Sequence, residues 1–105
     1  VIARSPLVKT ALFAAEPNLG RILAAAGAAA PDELDWSGVS LHFGDVCVVR
    51  GGVRAKSYTE AAGQAQMDGE EVTATLDLGR GSAAAWMWTC DFSYDYVTIN
   101  AEYRT

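Results

Sequence analysis

The sequence predicts an α+β domain, a mostly antiparallel sheet with two or three short helices packed on one face. Apolar residues near the start recur at helical spacing, and from Trp36 onward they alternate as they do in strands. Turn signals separate the alternating runs. Because 105 residues are too few for two separate cores, residues 1–105 are expected to form a single domain.

Two short helices are predicted in the first segment, "SPLVKTALFAAEPNLGRILAAAG". Ser5 can cap the first helix, with Pro6 at its first position, where no N–H donor is needed. The Glu16-Pro17 step is expected to break the helical run, and Pro17 to start the second helix. Gly27 is predicted to end that helix, and "AAAPDELD" to connect it to the sheet.

A β-hairpin is predicted next, because Val39, Leu41 and Phe43 alternate with polar residues and "GD" separates them from "VCVVR". "RGGVRAK" is interpreted as a loop. Ser57 and Glu60 have the spacing of a capping box, which predicts a short helix from about Tyr58.

Three further strands are predicted from alternation. They cover residues 72–78, 86–92 and 96–101, with "GRGS" as the turn between the first two. A nucleotide-binding loop is not favoured at "GRGS", because such loops open a helix.

Charge and cysteine content restrict the function. A net charge of −5 disfavours binding to nucleic acid or to an anionic membrane surface. The apolar run "ILAAAGAAA" is too short to span a bilayer. Cys47 and Cys90 have no metal or redox spacing; we expect reduced core thiols in a cytoplasmic protein, although one disulfide between them is possible.

Residue chemistry alone reveals no catalytic constellation. The single histidine, His42, is expected on the polar face of a strand, and the basic residues of "RGGVRAK" are expected in a solvated loop. If 96–101 is a strand, Tyr96, Thr98 and Asn100 form a row of neutral donors and acceptors. Such a row could recognise a zwitterion or an amide, although simple exposure is the more usual explanation.

Two long blocks resemble the ornithine/glutamate N-acetyltransferases of arginine biosynthesis, the ArgJ-type bifunctional proteins. The first block resembles that family's S-x-LVKTA…DPNWGR-ILAA-G element, with Glu16 and Leu19 replacing the usual Asp and Trp and Ala14 the usual Gly. "LDLGRGSAAAWMWTCDFSYDYVTINAEYRT" resembles its closing block, with the LGxG, CDLSxDYV and INAxYR elements nearly intact. The resemblance covers essentially the whole chain in order.

The resemblance implies a parent acyltransferase, a glutamate N-acetyltransferase/ornithine acetyltransferase. In that family an autocatalytic cleavage exposes a threonine, which takes acetyl from N-acetylornithine and passes it to glutamate; acetyl-CoA can also serve as donor. This chain carries no cleavage sequence of that kind, so it is expected to be the C-terminal part of the β chain, without the nucleophile and inactive alone. We expect no cofactor and no metal.

Two substrate-binding positions of the family match Asn100 and Thr105 of this sequence. The amide and the hydroxyl suit the α-amino and α-carboxylate groups of an amino acid. The implied partners are N-acetylornithine or ornithine, glutamate, and the remaining β chain and α chain in a cytoplasmic heterotetramer.

Two alternatives stay open. A non-catalytic packing or oligomerisation module would use Trp86, Trp88, Phe92 and the tyrosine-rich tail as an interface. A free-standing small-molecule binder would bind ornithine by itself.

Overall fold

The computed structural model describes residues 1–29 and 35–102. It confirms the α+β class, with four α-helices and a four-stranded antiparallel sheet. The helices are α1 (Pro6–Phe13), α2 (Leu19–Ala29), α3 (Glu60–Met67) and α4 (Tyr94–Glu102), and the strands are β1 (Ser40–Phe43), β2 (Val46–Arg50), β3 (Val53–Arg54) and β4 (Ala74–Asp77). The strand order in the sheet is β3-β2-β1-β4.

The two N-terminal helices form largely as the sequence predicts. The Ser5 hydroxyl accepts from the Val8 N–H at the start of α1, and Pro6 occupies the first turn. α1 ends with Ala15 in the left-handed region (φ 53°), where the Glu16 N–H donates to the Ala11 carbonyl. Before Pro17, the chain has therefore already left the helix.

The second helix differs from the prediction at both ends. It begins at Leu19 rather than at Pro17, because the Asn18 side chain accepts from the Arg21 N–H at 3.1 Å and caps it. Gly27 does not end the helix. A Cβ there would lie 3.3 Å from the Trp36 ring, so this glycine admits the indole against α2. Most of the predicted connecting loop falls on residues 30–34, outside the described part of the chain.

The predicted hairpin is confirmed, with Gly44 and Asp45 as a two-residue turn between β1 and β2. A β-bulge follows, because Leu41 pairs with Val49 while His42 pairs with Cys47. The extra residue, Val48, and its neighbour Val49 are both fully buried, which strict alternation would not give. Val53 and Arg54, predicted as loop, form the edge strand β3.

The core lies where β1 and β2 meet the first three helices. Leu41 and Phe43 of β1 belong to one buried cluster with Val8 of α1, Ile22 of α2 and Met67 of α3. α3 begins at Glu60, two residues later than the capping box predicts, since Thr59 rather than Ser57 caps the helix by accepting from the Ala62 N–H. The helix α4 contributes no buried residue.

Two of the three predicted C-terminal strands are wrong. β4 forms within the first of them and pairs with β1. Residues 86–92 have no regular structure, and residues 96–101 lie inside α4. "GRGS" is a turn, with Gly79 and Gly81 in the left-handed region, but it leads from β4 into an irregular segment.

Candidate functional site

Asn100, the predicted substrate-binding residue that the structure describes, lies exposed in the second turn of α4. Its Nδ2 donates to the Tyr96 carbonyl oxygen at 2.8 Å. A primary amide has two N–H donors and one oxygen acceptor. One donor is used by the helix, so the second donor and the oxygen can serve a ligand.

The helix changes which residues accompany Asn100. Residues four apart lie on one helix face, so Tyr96 and Asn100 are neighbours, whereas Thr98 lies about 200° around the axis from each. The predicted polar row of Tyr96, Thr98 and Asn100 therefore does not exist. The second predicted site residue, Thr105, lies outside the described residues.

The sequence around Ser93 explains why this segment forms a helix. The Ser93 hydroxyl accepts from the Tyr96 N–H at 2.9 Å, and the Ser93 carbonyl accepts from the Val97 N–H at 3.2 Å. Asp95 lies in the first turn, where a carboxylate interacts favourably with the helix dipole. A capping serine followed by an acidic residue was the signal that could have predicted α4.

α4 is attached to the body of the fold through α1. The Phe92 N–H donates to the Lys9 carbonyl at 3.1 Å, and the Lys9 ammonium lies 4.7 Å from the centroid of the Phe92 ring and 5.3 Å from that of Tyr96. The Phe13 and Tyr94 rings meet edge to face with centroids 5.6 Å apart. No sequence pattern indicated a role for Lys9, because its aromatic partners are more than 80 residues away along the chain.

The remaining candidates do not assemble into a reactive centre. His42 is half-buried in β1, between Cys47 and Thr75 in the register. Both cysteines are free; Cys47 is half-buried, but Cys90 is exposed, so its assignment to the core was wrong. It lies in the irregular segment rather than in a strand with a buried face. Among residues 1–29 and 35–102, no group of three His, Cys, Asp or Glu side chains could hold a metal ion.

Arg54, a basic residue of the edge strand β3, already has partners. Its guanidinium lies 3.8 Å from the Glu60 carboxylate and 4.9 Å from the centroid of the Tyr58 ring. Both partners of the ion pair are more than half exposed, so Arg54 is solvated as predicted, although it lies in a strand rather than a loop.

A second feature of the C-terminal segment is its exposed apolar surface. Trp86 and Trp88 are 81% and 71% exposed and meet edge to face at 6.0 Å. Met87, Val97 and Ile99 are also more than half exposed. Monomeric proteins rarely expose this many large apolar side chains within one short segment.

Comparison with known proteins identifies the family of this chain. A model of the ArgJ family matches residues 1–105, and the chain belongs to that family. It is 54% identical over 104 residues to the arginine biosynthesis bifunctional protein ArgJ of Pseudomonas fluorescens (strain Pf0-1). It is 55% identical over 104 residues to the protein of the same name from Neisseria meningitidis serogroup A.

These alignments cover 99% of this chain but only 26% of each relative, so the chain spans about a quarter of their length. A crystal structure of the arginine biosynthesis bifunctional protein ArgJ from Bacillus halodurans matches 97% of this chain and 47% of its own. Its TM-score is 0.86 at 31% sequence identity. In the described part of this chain, no helix has the length and apolar character needed to cross a membrane.

Proposed function

We propose that this chain is the C-terminal part of the β chain of a bifunctional glutamate N-acetyltransferase/ornithine acetyltransferase of arginine biosynthesis. Membership of the ArgJ family and the bifunctional, arginine-biosynthetic relatives support the proposal. In this scheme a threonine hydroxyl outside the chain attacks the acetyl carbonyl of N-acetylornithine, releasing ornithine and leaving an acetyl ester. The glutamate amine then attacks the ester, giving N-acetylglutamate and the free hydroxyl.

The contribution of this chain to that reaction is substrate binding, through Asn100 and Thr105. The observation that carries this assignment is the exposed Asn100 amide, which keeps a donor and an acceptor available beyond its bond to Tyr96. The oxygen suits a substrate ammonium and the N–H suits a carboxylate. The chain supplies no nucleophile in this proposal and no group that holds a cofactor.

Removal of the last residue tests the assignment of Thr105. In the complete protein that contains this chain, deletion of Thr105 should lower kcat/KM for acetyl transfer from N-acetylornithine to glutamate by roughly tenfold or more, since a hydrogen bond to a charged substrate group is lost. Thr105→Ser is the matched control, because it keeps the hydroxyl, and it should retain most of the activity. Unchanged kinetics after the deletion would exclude Thr105 from the site.

The exposed apolar surface favours a second role, packing against the rest of the same protein. We propose that the remaining β chain and the α chain cover Trp86, Trp88 and their apolar neighbours in a hetero-oligomer. The supporting facts are the exposure of these residues and the much greater length of the relatives. Both roles are compatible, because the packing surface and Asn100 occupy different residues of one segment.

The thiol of Cys90, two residues after Trp88, reports on this packing. It is exposed in the 105-residue chain, so a thiol reagent should modify it rapidly there and much more slowly in the complete protein. Cys47, which is half-buried in the sheet and donates to the Val49 carbonyl at 3.5 Å, is the internal control and should react slowly in both. Equal rates at Cys90 in the two proteins would contradict the packing role.

A further inference from the structure

The Lys9 ammonium occupies an aromatic cage between α1 and α4. It lies within 6 Å of both the Phe92 and the Tyr96 ring centroids, the range in which a cation is attracted to an aromatic face. The two rings are themselves 5.0 Å apart with an interplanar angle of 31°. One cation therefore contacts both the residue before the Ser93 cap and a residue in the first turn of α4.

Within residues 1–29 and 35–102, few other contacts determine where α4 lies. None of its residues is buried, so the helix gains no support from the hydrophobic core. Its start is held by the Lys9 cage, by the Phe92 N–H bond to the Lys9 carbonyl, and by the edge-to-face contact of Tyr94 with Phe13. Because the attachments are few, loss of one should change the position or the mobility of the helix.

The cage is coupled to Asn100 through Tyr96. The Tyr96 ring contacts Lys9, and the Tyr96 carbonyl accepts from the Asn100 amide at 2.8 Å. The two residues lie one turn apart on the same face of α4, about 6 Å along its axis. A shift of Tyr96 is thus passed to Asn100 by one helical turn and one hydrogen bond.

We propose that Lys9 is a positioning residue for the substrate amide. Its cation, held between Phe92 and Tyr96, fixes the start of α4 and thereby sets the place of Asn100. This inference rests on the proposed function, since it requires Asn100 to bind substrate. Lys9 itself contacts no substrate in this account and changes activity only through Asn100.

The test compares KM and kcat in the complete protein for acetyl transfer from N-acetylornithine to glutamate. Lys9→Met, which keeps the chain length but removes the cation, should lower kcat/KM roughly three- to tenfold, mainly through KM, in line with the modest strength of a cation–π contact. Lys9→Arg keeps a cation over the rings and should restore most of the loss. Lys56→Met changes the other lysine of the 105-residue sequence and should leave both constants unchanged.

A second pair of variants addresses the ring instead of the cation. Tyr96→Leu removes the aromatic face and should reproduce the kinetic change of Lys9→Met, whereas Tyr96→Phe keeps that face and should behave like the unmodified protein. This pair tests the cage even if Lys9→Met does not fold, which a thermal unfolding midpoint will reveal. Normal kinetics in Tyr96→Leu would overturn the proposal.

A double-mutant cycle with Asn100→Ala distinguishes the positioning role of Lys9 from the substrate-binding role of Asn100. The combined variant Lys9→Met with Asn100→Ala should be no less active than Asn100→Ala, because Lys9 acts only through that amide. If the losses in kcat/KM of the two single variants multiply in the combined variant, the positioning role of Lys9 is wrong. The same holds if Lys9→Met has normal kinetics while Asn100→Ala is impaired. Neither result would affect the assignment of Asn100. Normal kinetics in Asn100→Ala would instead remove Asn100 from the site, and the positioning role with it.

Discussion

Replacement of Asn100 by alanine tests the substrate-binding assignment without disturbing the fold. The side chain is exposed and its one hydrogen bond within the described structure goes to the Tyr96 carbonyl one turn earlier. Alanine has the highest helix propensity, so α4 should tolerate the change. Any loss of activity then reflects the lost amide rather than a lost helix.

The size of the effect follows from the groups that Asn100 has available. Its oxygen and its second N–H can each bind a charged group of an amino-acid substrate. A hydrogen bond to a charged group contributes about 1.5–3 kcal/mol. Since about 1.4 kcal/mol corresponds to a tenfold change in rate, the loss of one such bond should lower kcat/KM by roughly 10- to 150-fold.

The assay measures acetyl transfer from N-acetylornithine to glutamate by the complete protein, with each substrate varied in turn. Thr98→Ala is the matched control, because Thr98 is an exposed polar residue on the opposite side of α4. Asn100→Ala should be impaired and Thr98→Ala should not. Equal kcat/KM values for both variants and the unmodified protein would exclude Asn100 from substrate binding.

Four further predictions concern stability and the isolated chain. The Tyr58 hydroxyl is buried with no hydrogen-bond partner in the described structure, so Tyr58→Phe should raise the thermal midpoint by removing a desolvation cost on the order of 1–3 kcal/mol; a lower midpoint would contradict this. Burial also raises the pKa of the Tyr58 hydroxyl, so the unfolded state loses this proton at a lower pH than the folded state. Unfolding should therefore become easier as the pH rises above about 10. Tyr58→Phe should weaken that pH dependence. Gly52→Ala should lower the thermal unfolding midpoint more than Gly81→Ala, because both glycines have positive φ but only at Gly52 would a Cβ clash with the Trp36 carbonyl oxygen. Equal shifts would argue against the close approach. The purified 105-residue chain should show no acetyl transfer, and measurable turnover by it would place a nucleophile within this sequence.

Local signals predicted the first part of the fold well. Ser5 with Pro6 and the Gly44-Asp45 turn act through neighbouring backbone groups, so their effect can be inferred from a few adjacent residues. The bulge at Val48 was not predictable in this way. It depends on how β2 packs beneath the helices and on its pairing with β1, which the periodicity of one strand does not contain.

The C-terminal third was predicted less well, because two local signals compete there. Val97, Ile99 and Ala101 alternate like a strand, whereas Ser93 and Asp95 favour the start of a helix. The helix forms, and its apolar residues remain exposed instead of facing the core. Alternation predicts a strand only if the segment pairs with a sheet edge, and residues 97–101 pair with neither β3 nor β4, the two edges of the described sheet.

The same competition limited what could be inferred about the site. The resemblance selected Asn100 independently of secondary structure, whereas the polar row proposed around it required a strand and is absent. The Lys9 cage joins two segments far apart in sequence, so no local pattern contained it. The site residue Asn100 could therefore be predicted from the sequence, but the residues that surround it in the fold could not.

In the proposed function, the segment ending in α4 binds the amino-acid substrate of an acetyltransferase. A crystal structure of the complete protein with ornithine or N-acetylornithine bound tests it most directly. An Asn100 side-chain atom is expected within about 3 Å of the ammonium or carboxylate of the ligand. A bound ligand with Asn100 facing only protein or solvent would contradict it.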